Sequence, residues 1–401
     1  MNPCTGKKRI SGRCRVRARG GMRARGGIRS LLAFFASLAA LSIGSVPRAE
    51  AQDSTGTRPW YETITVNAFV SSSYSYNFNR PLFPVNGYRV FDFDDKSFKV
   101  DVAELVLQKP TPRPGDAGFR VDVAAGGSIP RVSAAAGLFR DPLGNGQDID
   151  LQQAYVGYLA AAGRGLRLDF GKFVTHFGYE VIEGYDGWND NVTRSLLFGY
   201  AIPFTHTGIR AAYSFSDRVS STVLVVNGWD DATDRNQQKS IGAQLSLTPA
   251  AAWTVILNGM YGAERPDNSR DPRTLLDLVA TWKPEGRVAL GLNLDHGRER
   301  NRFLPGEHAR WDGAAAYVRI RLTGKFSFIG RAEQFGDWDG VRTGLSQRLS
   351  EITLTPEVRP ARGFVARCDL RLDHSDQVVF DAHSGPKQDQ KTAIASVLFA
   401  F

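Results

Sequence analysis

Two groups of charged side chains are set apart by their type and spacing. Arg319 and Arg321 alternate with Val318, Ile320 and Leu322; Arg331 is followed two residues on by Glu333; and Arg367, Asp369, Arg371 and Asp373 alternate with Ala366, Cys368, Leu370 and Leu372. Side chains at every second position of an extended chain project from one face. Arg319, Arg321, Arg331, Arg367 and Arg371 would then form a basic wall, able to attract anions and to act on dipolar solutes. The second group is acidic. Glu180, Glu183, Asp186 and Asp190, with Arg194 near the end, lie between residues 175 and 206 among Tyr179, Tyr185 and Trp188. Carboxylates held across a water-filled gap from arginines would impose a transverse field on whatever passes between them.

Bond-making chemistry has less support. Asp295 precedes His296 and Asp373 precedes His374, but neighbours on a strand point to opposite faces, so neither pair can act as an oriented base. No nucleophile has a plausible base, and no catalytic residue is assigned. His176 and His206 bracket the long interval and could approach each other, although solvated loop histidines are commoner than a metal site. Asp230, Asp231 and Asp234 could hold a divalent cation. Their spacing lacks the sixth-position glycine of an EF-hand loop, and a solvated loop is the simpler reading. No metal and no cofactor are expected.

Composition narrows the setting. The chain has 401 residues, 42% hydrophobic and 23% charged, with a formal net charge of +9. That excess is local. Residues 1–51 hold eleven of the 50 basic residues and one of the 41 acidic ones, leaving 39 against 40 and a net charge of −1 elsewhere. A nucleic-acid partner thereby loses its electrostatic footprint. Residues 1–51 read as an export signal, with a basic stretch, an apolar core from Leu31 to Ile43 and the small-x-small triplet Ala49-Glu50-Ala51. Met22, followed by Arg23, Arg25 and Arg29, is an alternative start. Processing would leave Cys368 as the only cysteine, which excludes an internal disulfide. No later apolar run approaches the ~20 residues of a membrane-crossing helix. Strands of a membrane barrel need only every second residue to be apolar.

The elements that would position the charges follow from period-two alternation in residues 52–401. Ile64, Val66, Ala68, Val70, Tyr74, Tyr76 and Phe78 fall on one face; Thr63, Thr65, Asn67, Ser71, Ser73, Ser75 and Asn77 fall on the other, with Phe69 the one apolar exception. Sixteen such segments can be marked, with twelve or fourteen strands as alternatives. Short links such as Ser216-Asp217, Pro284-Glu285 and Thr323-Gly324 alternate with long ones such as 79–96, 128–148, 175–206 and 374–390. An all-β, antiparallel up-and-down barrel crossing a bilayer has this pattern, with tight periplasmic turns and longer outer loops. It must close, because an open edge in hydrocarbon leaves backbone polar groups unpaired. Trp253, Phe326, Phe364, Phe215, Trp282, Phe399 and Phe401 fall where a lower aromatic belt would lie. The last segment alternates through Ala393, Ala395, Val397, Phe399 and Phe401. It resembles the C-terminal strand by which the barrel assembly machinery recognises Gram-negative outer-membrane proteins.

Four stretches resemble the OmpL-like beta-barrel porin family: Gly171-Lys172-Phe173-Val174 to Gly178, Ser195-Leu196-Leu197-Phe198-Gly199-Tyr200-Ala201-Ile202-Pro203-Phe204, His206-Thr207-Gly208, and Val226-Asn227-Gly228-Trp229-Asp230. The resemblance implies a barrel in the outer membrane of a Gram-negative bacterium, with porin activity. It brings no substrate, catalytic set or strand number. The expected function is passive diffusion of small polar solutes or ions through a water-filled channel. The expected partners are outer-membrane lipids, lipopolysaccharide, the assembly machinery and, by analogy, two further copies in a homotrimer. In general porins the long third loop folds into the lumen, and here that would place its acids opposite the arginine wall as an eyelet. The alternative leaves the loop outside, with the arginines pairing with Glu333, Asp369 and Asp373. A closed-lumen structural or adhesive barrel and an outer-membrane enzyme are the competing functions.

Overall fold

A computed structural model describes residues 60–401, so the proposed export signal at 1–51 lies outside the described residues. A short 3-10 turn, Trp60–Thr63, leads into β1, Thr65–Asn77. Then come β2 (Phe98–Lys109), β3 (Ala117–Ala125), β4 (Ile149–Ala160) and β5 (Leu166–Val174). After the long loop follow β6 (Thr205–Ser216), β7 (Val219–Val226), β8 (Ser240–Ala250), β9 (Trp253–Ala263) and β10 (Pro272–Trp282). The last six are β11 (Val288–Arg300), β12 (His308–Arg321), β13 (Phe326–Asp337), β14 (Gln347–Ala361), β15 (Phe364–Ser375) and β16 (Asp389–Ala400).

Each strand pairs antiparallel with the one before it, and β16 pairs with β1, giving a closed sixteen-stranded barrel. The seam reaches the end of the chain. Ala68 N donates to Phe401 O at 2.9 Å and Phe401 N donates to Ala68 O at 3.0 Å. Alternation decides which face meets lipid. On β15, Arg367, Asp369, Arg371 and Asp373 are buried within the barrel, whereas Leu370 and Leu372 are exposed on its outside. The reverse register would place arginines in hydrocarbon at about 2 to 4 kcal/mol each. At the periplasmic end Trp253 stands opposite Trp282, with ring centroids 6.4 Å apart, and Phe364 stands opposite Phe399.

The strands differ from the alternation mainly in length. β11 and β12 continue to Arg300 and back to His308, beyond the apolar band, where hydrogen bonding no longer requires apolar neighbours. β14 passes through Pro356, and its pairing with β15 steps from Leu354–Leu370 to Glu357–Arg367 around this residue, which has no N–H for the ladder. Two helical pieces carry no period-two signal. One is α1, Pro130–Ala136, with proline in its first turn. The other is a π-helical turn, Leu197–Ala201, inside the third loop.

Candidate functional site: a loop docked in the lumen

The third outer loop leaves β5 at Val174 and folds into the barrel. Gly178, at φ +84°, turns the chain inward; a side chain there would strike Ile202 Cδ1 at 2.8 Å. Gly178 N donates to Asp277 Oδ2 at 3.1 Å on β10, and Tyr179 N donates to Asn293 Oδ1 at 3.1 Å on β11. The Tyr179 ring stacks on Tyr317, with centroids 4.0 Å apart, over a floor at Gly291 that has no Cβ to obstruct it. The tip reaches the other side of the barrel, where Tyr185 N donates to Glu104 Oε2 at 2.9 Å on β2. The returning limb of the loop retraces this wall and leads into β6 at Thr205.

Each predicted site residue can now be placed. Arg331 is buried on β13 and its guanidinium is saturated. Nη1 donates to Glu180 Oε1 at 2.7 Å and to Thr193 O at 2.6 Å, while Nη2 donates to Thr193 Oγ1 at 2.9 Å and to Glu351 Oε2 at 2.8 Å. Arg367 donates to Glu183 Oε1 at 2.8 Å and to Asn189 O, and Arg194 pairs with the same Glu183 at 3.0 Å. Arg319 holds Asp190 at 2.5 Å and also Glu357. Asp186 lies elsewhere, paired with Arg120 on β3 at 2.6 Å. Arg371 meets Asp92 of the first outer loop and Asp373, not the third loop. Arg321 ends β12 exposed at the periplasmic rim and is not part of the buried wall. Phe399 and Phe401 are exposed on the outside of the last strand.

The eyelet geometry therefore needs correction. The loop is inside, as one alternative had it, but its acids touch the arginines instead of facing them across water. Burial makes this favourable: an arginine without its carboxylate in such a place costs about 3 to 5 kcal/mol. The loop acid Glu183 is held below the ordinary carboxylate range; burial opposes this, but Arg194 and Arg367 outweigh it. Of the inward carboxylates given to the arginines in the other alternative, Asp373 does pair with Arg371 at 3.2 Å, while Asp369 and Glu333 hold the loop backbone. Asp369 accepts from Val192 N at 3.1 Å and Thr193 N at 2.8 Å, and Glu333 accepts from Leu196 N at 2.7 Å and Leu197 N at 3.2 Å, at the start of the π-helical turn.

The other side of the loop is apolar. Leu196, Leu197, Phe198, Ala201, Ile202 and Phe204 are buried with Phe91, Phe177, Trp311 and Phe335 inside the outer half of the barrel. Trp311 lies flat on Gly297 and its Nε1 donates to Ala201 O at 3.1 Å.

The first outer loop also enters, which the sequence reading missed. Arg89 is buried against Asp373 and donates to Arg194 O at 3.2 Å. Burial and the nearby Arg371 lower its pKa to about 10. Asp92 is held below its ordinary range, since Arg371 and Arg89 outweigh its burial. Glu351, Asp277 and Asn293 were findable as inward positions of their strands; nothing in the loop sequence marks Arg89 or Asp92. His176 and His206 do approach, with ring centroids 6.4 Å apart, but among the described residues no cluster of potential ligands could hold a metal. Asp230 accepts from Phe204 N at 2.6 Å and Thr205 N at 3.0 Å and so closes the loop. Burial raises its pKa to about 6.

No curated protein matches the chain in sequence. Among solved structures, the anion-selective porin from Comamonas acidovorans is similar at a TM-score of 0.56 and 11% identity, over 84% of this chain and 99% of that one. The outer-membrane channel DcaP of Acinetobacter baumannii gives 0.57 and 10%, over 84% and 97%. The trimer form of OmpT from Vibrio cholerae gives 0.54 and 10%, over 84% and 99%. At such identities the likeness is one of fold. The family model described as "Putative beta-barrel porin-2, OmpL-like" matches residues 63–401, nearly the whole barrel. With its closed barrel and inward loop, the chain belongs to this family and is an outer-membrane porin.

Proposed function

We propose that residues 175–206 form the constriction of the channel, and that small polar solutes and ions diffuse between this loop and the wall made by β5 to β9. The observation that carries the reading is where the loop docks. Its anchors run from β10 through β15 to β2, and the inward faces of β13 to β15 are buried beneath it. On the remaining wall Arg210, Thr222, Gln244 and Ser246 stay partly exposed. A cavity of about 230 Å³ at the β6–β7 turn is lined by Ser214, Ser220, Ser246 and Thr248 with Arg164, Asp217 and Arg218, and another of about 200 Å³, toward β3 and β4, by Thr111, Arg120, Tyr155 and Arg167. Hydroxyls donate and accept, which suits uncharged polar solutes and hydrated ions alike.

Glu180, Glu183 and Asp190 cancel Arg331, Arg367 and Arg319, so the clamp contributes little net field and the intact channel should discriminate weakly by charge. Replacing Arg319, Arg367 and Arg371 together by glutamine removes three positive charges from the clamp and leaves Glu183 with Arg194 alone and Asp190 and Asp92 without their arginine bonds. The reversal potential in a planar bilayer under a salt gradient should move toward cation preference. An unchanged potential would remove these residues from the conduction path. A homotrimer, as in the trimer form of the Vibrio cholerae protein, is proposed for this chain too.

A further inference from the structure

The root of the third loop rests on a short row of polar side chains. Asp277 accepts from Gly178 N at 3.1 Å, from Asn258 Nδ2 at 2.5 Å and from Asn293 Nδ2 at 2.6 Å. Three donors on one carboxylate are what its ionised form requires. Its cross-strand partner is Asp295, which is 4% exposed and has neither oxygen hydrogen-bonded to a donor. An ionised carboxylate buried without a partner is strongly disfavoured. No arginine, lysine or histidine nitrogen pairs with either oxygen among the described residues. Asn258 on β9 faces Asp277, and Gly313 on β12 faces Asp295, with loop residue Leu197 packed over that glycine. The titratable groups at the loop root are His176 and Tyr179, with His206 and the permanently charged Arg210 beside His176. Burial pushes the His176 imidazole down to about 3 and the Tyr179 phenol up, so both are neutral near pH 7.

We propose that Asp277 and Asp295 hold one proton between them, carried by Asp295 and donated to Asp277, and that this proton keeps the third loop seated. The conductance consequence rests on the constriction reading above; the proton assignment does not. Asp295 is then a positioning residue. When hydroxide takes the proton and forms water, two anions stand side by side with no cation paired to either. The new carboxylate competes for the amide donors of Asn293 and Asn258. Turning Asn293 toward Asp295 withdraws its Oδ1 from Tyr179 N, and repulsion loosens Asp277 from Gly178 N. The loop root is released and the channel widens on the alkaline side.

The test compares the wild-type full chain with D295N, whose amide can donate to Asp277 at every pH. Between about pH 6 and about pH 9 the wild-type single-channel conductance should rise about twofold, while D295N stays at the low level. Hydrogen exchange of the backbone at 176–182, read at the same pH in both proteins, should be equal at the acidic end and faster in wild type at the alkaline end. Equal exchange at both ends, or the same conductance rise in D295N, overturns the shared proton. So does a wild-type response abolished by adding calcium and restored by chelator, which would assign the pair to a bound cation. An exchange difference with no conductance difference supports the proton and sinks the constriction reading instead.

Discussion

Arg331 shows how a charge becomes tolerable deep in the barrel. Its donors meet two carboxylates and two groups of Thr193, so the desolvation of the guanidinium is offset by contacts that also fix the loop. Arg331→Met keeps the length and loses these bonds. It should cost about 3 to 5 kcal/mol of loop docking and make peptides at 189–197 exchange hydrogen faster, with the strands unchanged. Glu264, just beyond β9, tests the opposite case. It accepts from Trp229 N at 2.5 Å and Ser240 Oγ at 2.6 Å, and burial raises its pKa to about 7. The folded protein thus binds this proton more tightly than the unfolded chain does. The stabilisation is complete below the ordinary glutamate range, near pH 4.5, and is lost as pH rises to about 7. In Glu264→Gln that part of the slope should vanish, which thermal unfolding in detergent at both pH values would show as a flatter profile. The inward arginines were legible from alternation alone. Their partners were not, because a loop acid carries no periodic mark of the strand it will meet.

At the scale of elements, the bilayer writes the strands into the sequence and the lumen does not. Period two comes from lipid on one side and polar surroundings on the other, so all sixteen strands could be marked, while α1 and the π-helical turn left no such trace. The third loop is placed by glycine floors and inward carboxylates far away in the chain. Gly297 is one floor: a Cβ there would lie 2.0 Å from Trp311. Gly297→Val should displace the indole from Ala201 O and cost about 1 to 3 kcal/mol, read as a lower unfolding temperature and a shift in tryptophan fluorescence. If the indole spectrum and the unfolding temperature both stay put, Trp311 does not brace the loop.

For the whole molecule, closure removes every sheet edge, and what remains distinctive is the axial distribution of charge. The seven short turns carry seven basic residues, among them Arg113, Arg218, Arg287 and Arg362, against the three acids Asp116, Asp217 and Glu285. An uneven ring of charge at one mouth favours ions of one sign entering from that side. Current through oriented channels should therefore be asymmetric in voltage at low salt. It should become symmetric near 1 M, where the screening length falls to about 3 Å. Persistence of the asymmetry in high salt would locate its cause in the loop clamp instead.

What the sequence determined by itself is what depends on near neighbours and on the solvent: the antiparallel barrel, the inward and outward faces within the apolar band, the aromatic belt and the alternation of short turns with long loops. These follow because hydrocarbon penalises each wrongly facing charge and each unpaired backbone group locally, residue by residue. Where the loops go was decided only in three dimensions. Glu180 meets Arg331, Arg89 meets Asp373, and Gly178 meets Asp277 across more than ninety residues of chain. Such bonds arise because the closed barrel brings distant strands within reach of one loop and excludes water from what lies between them.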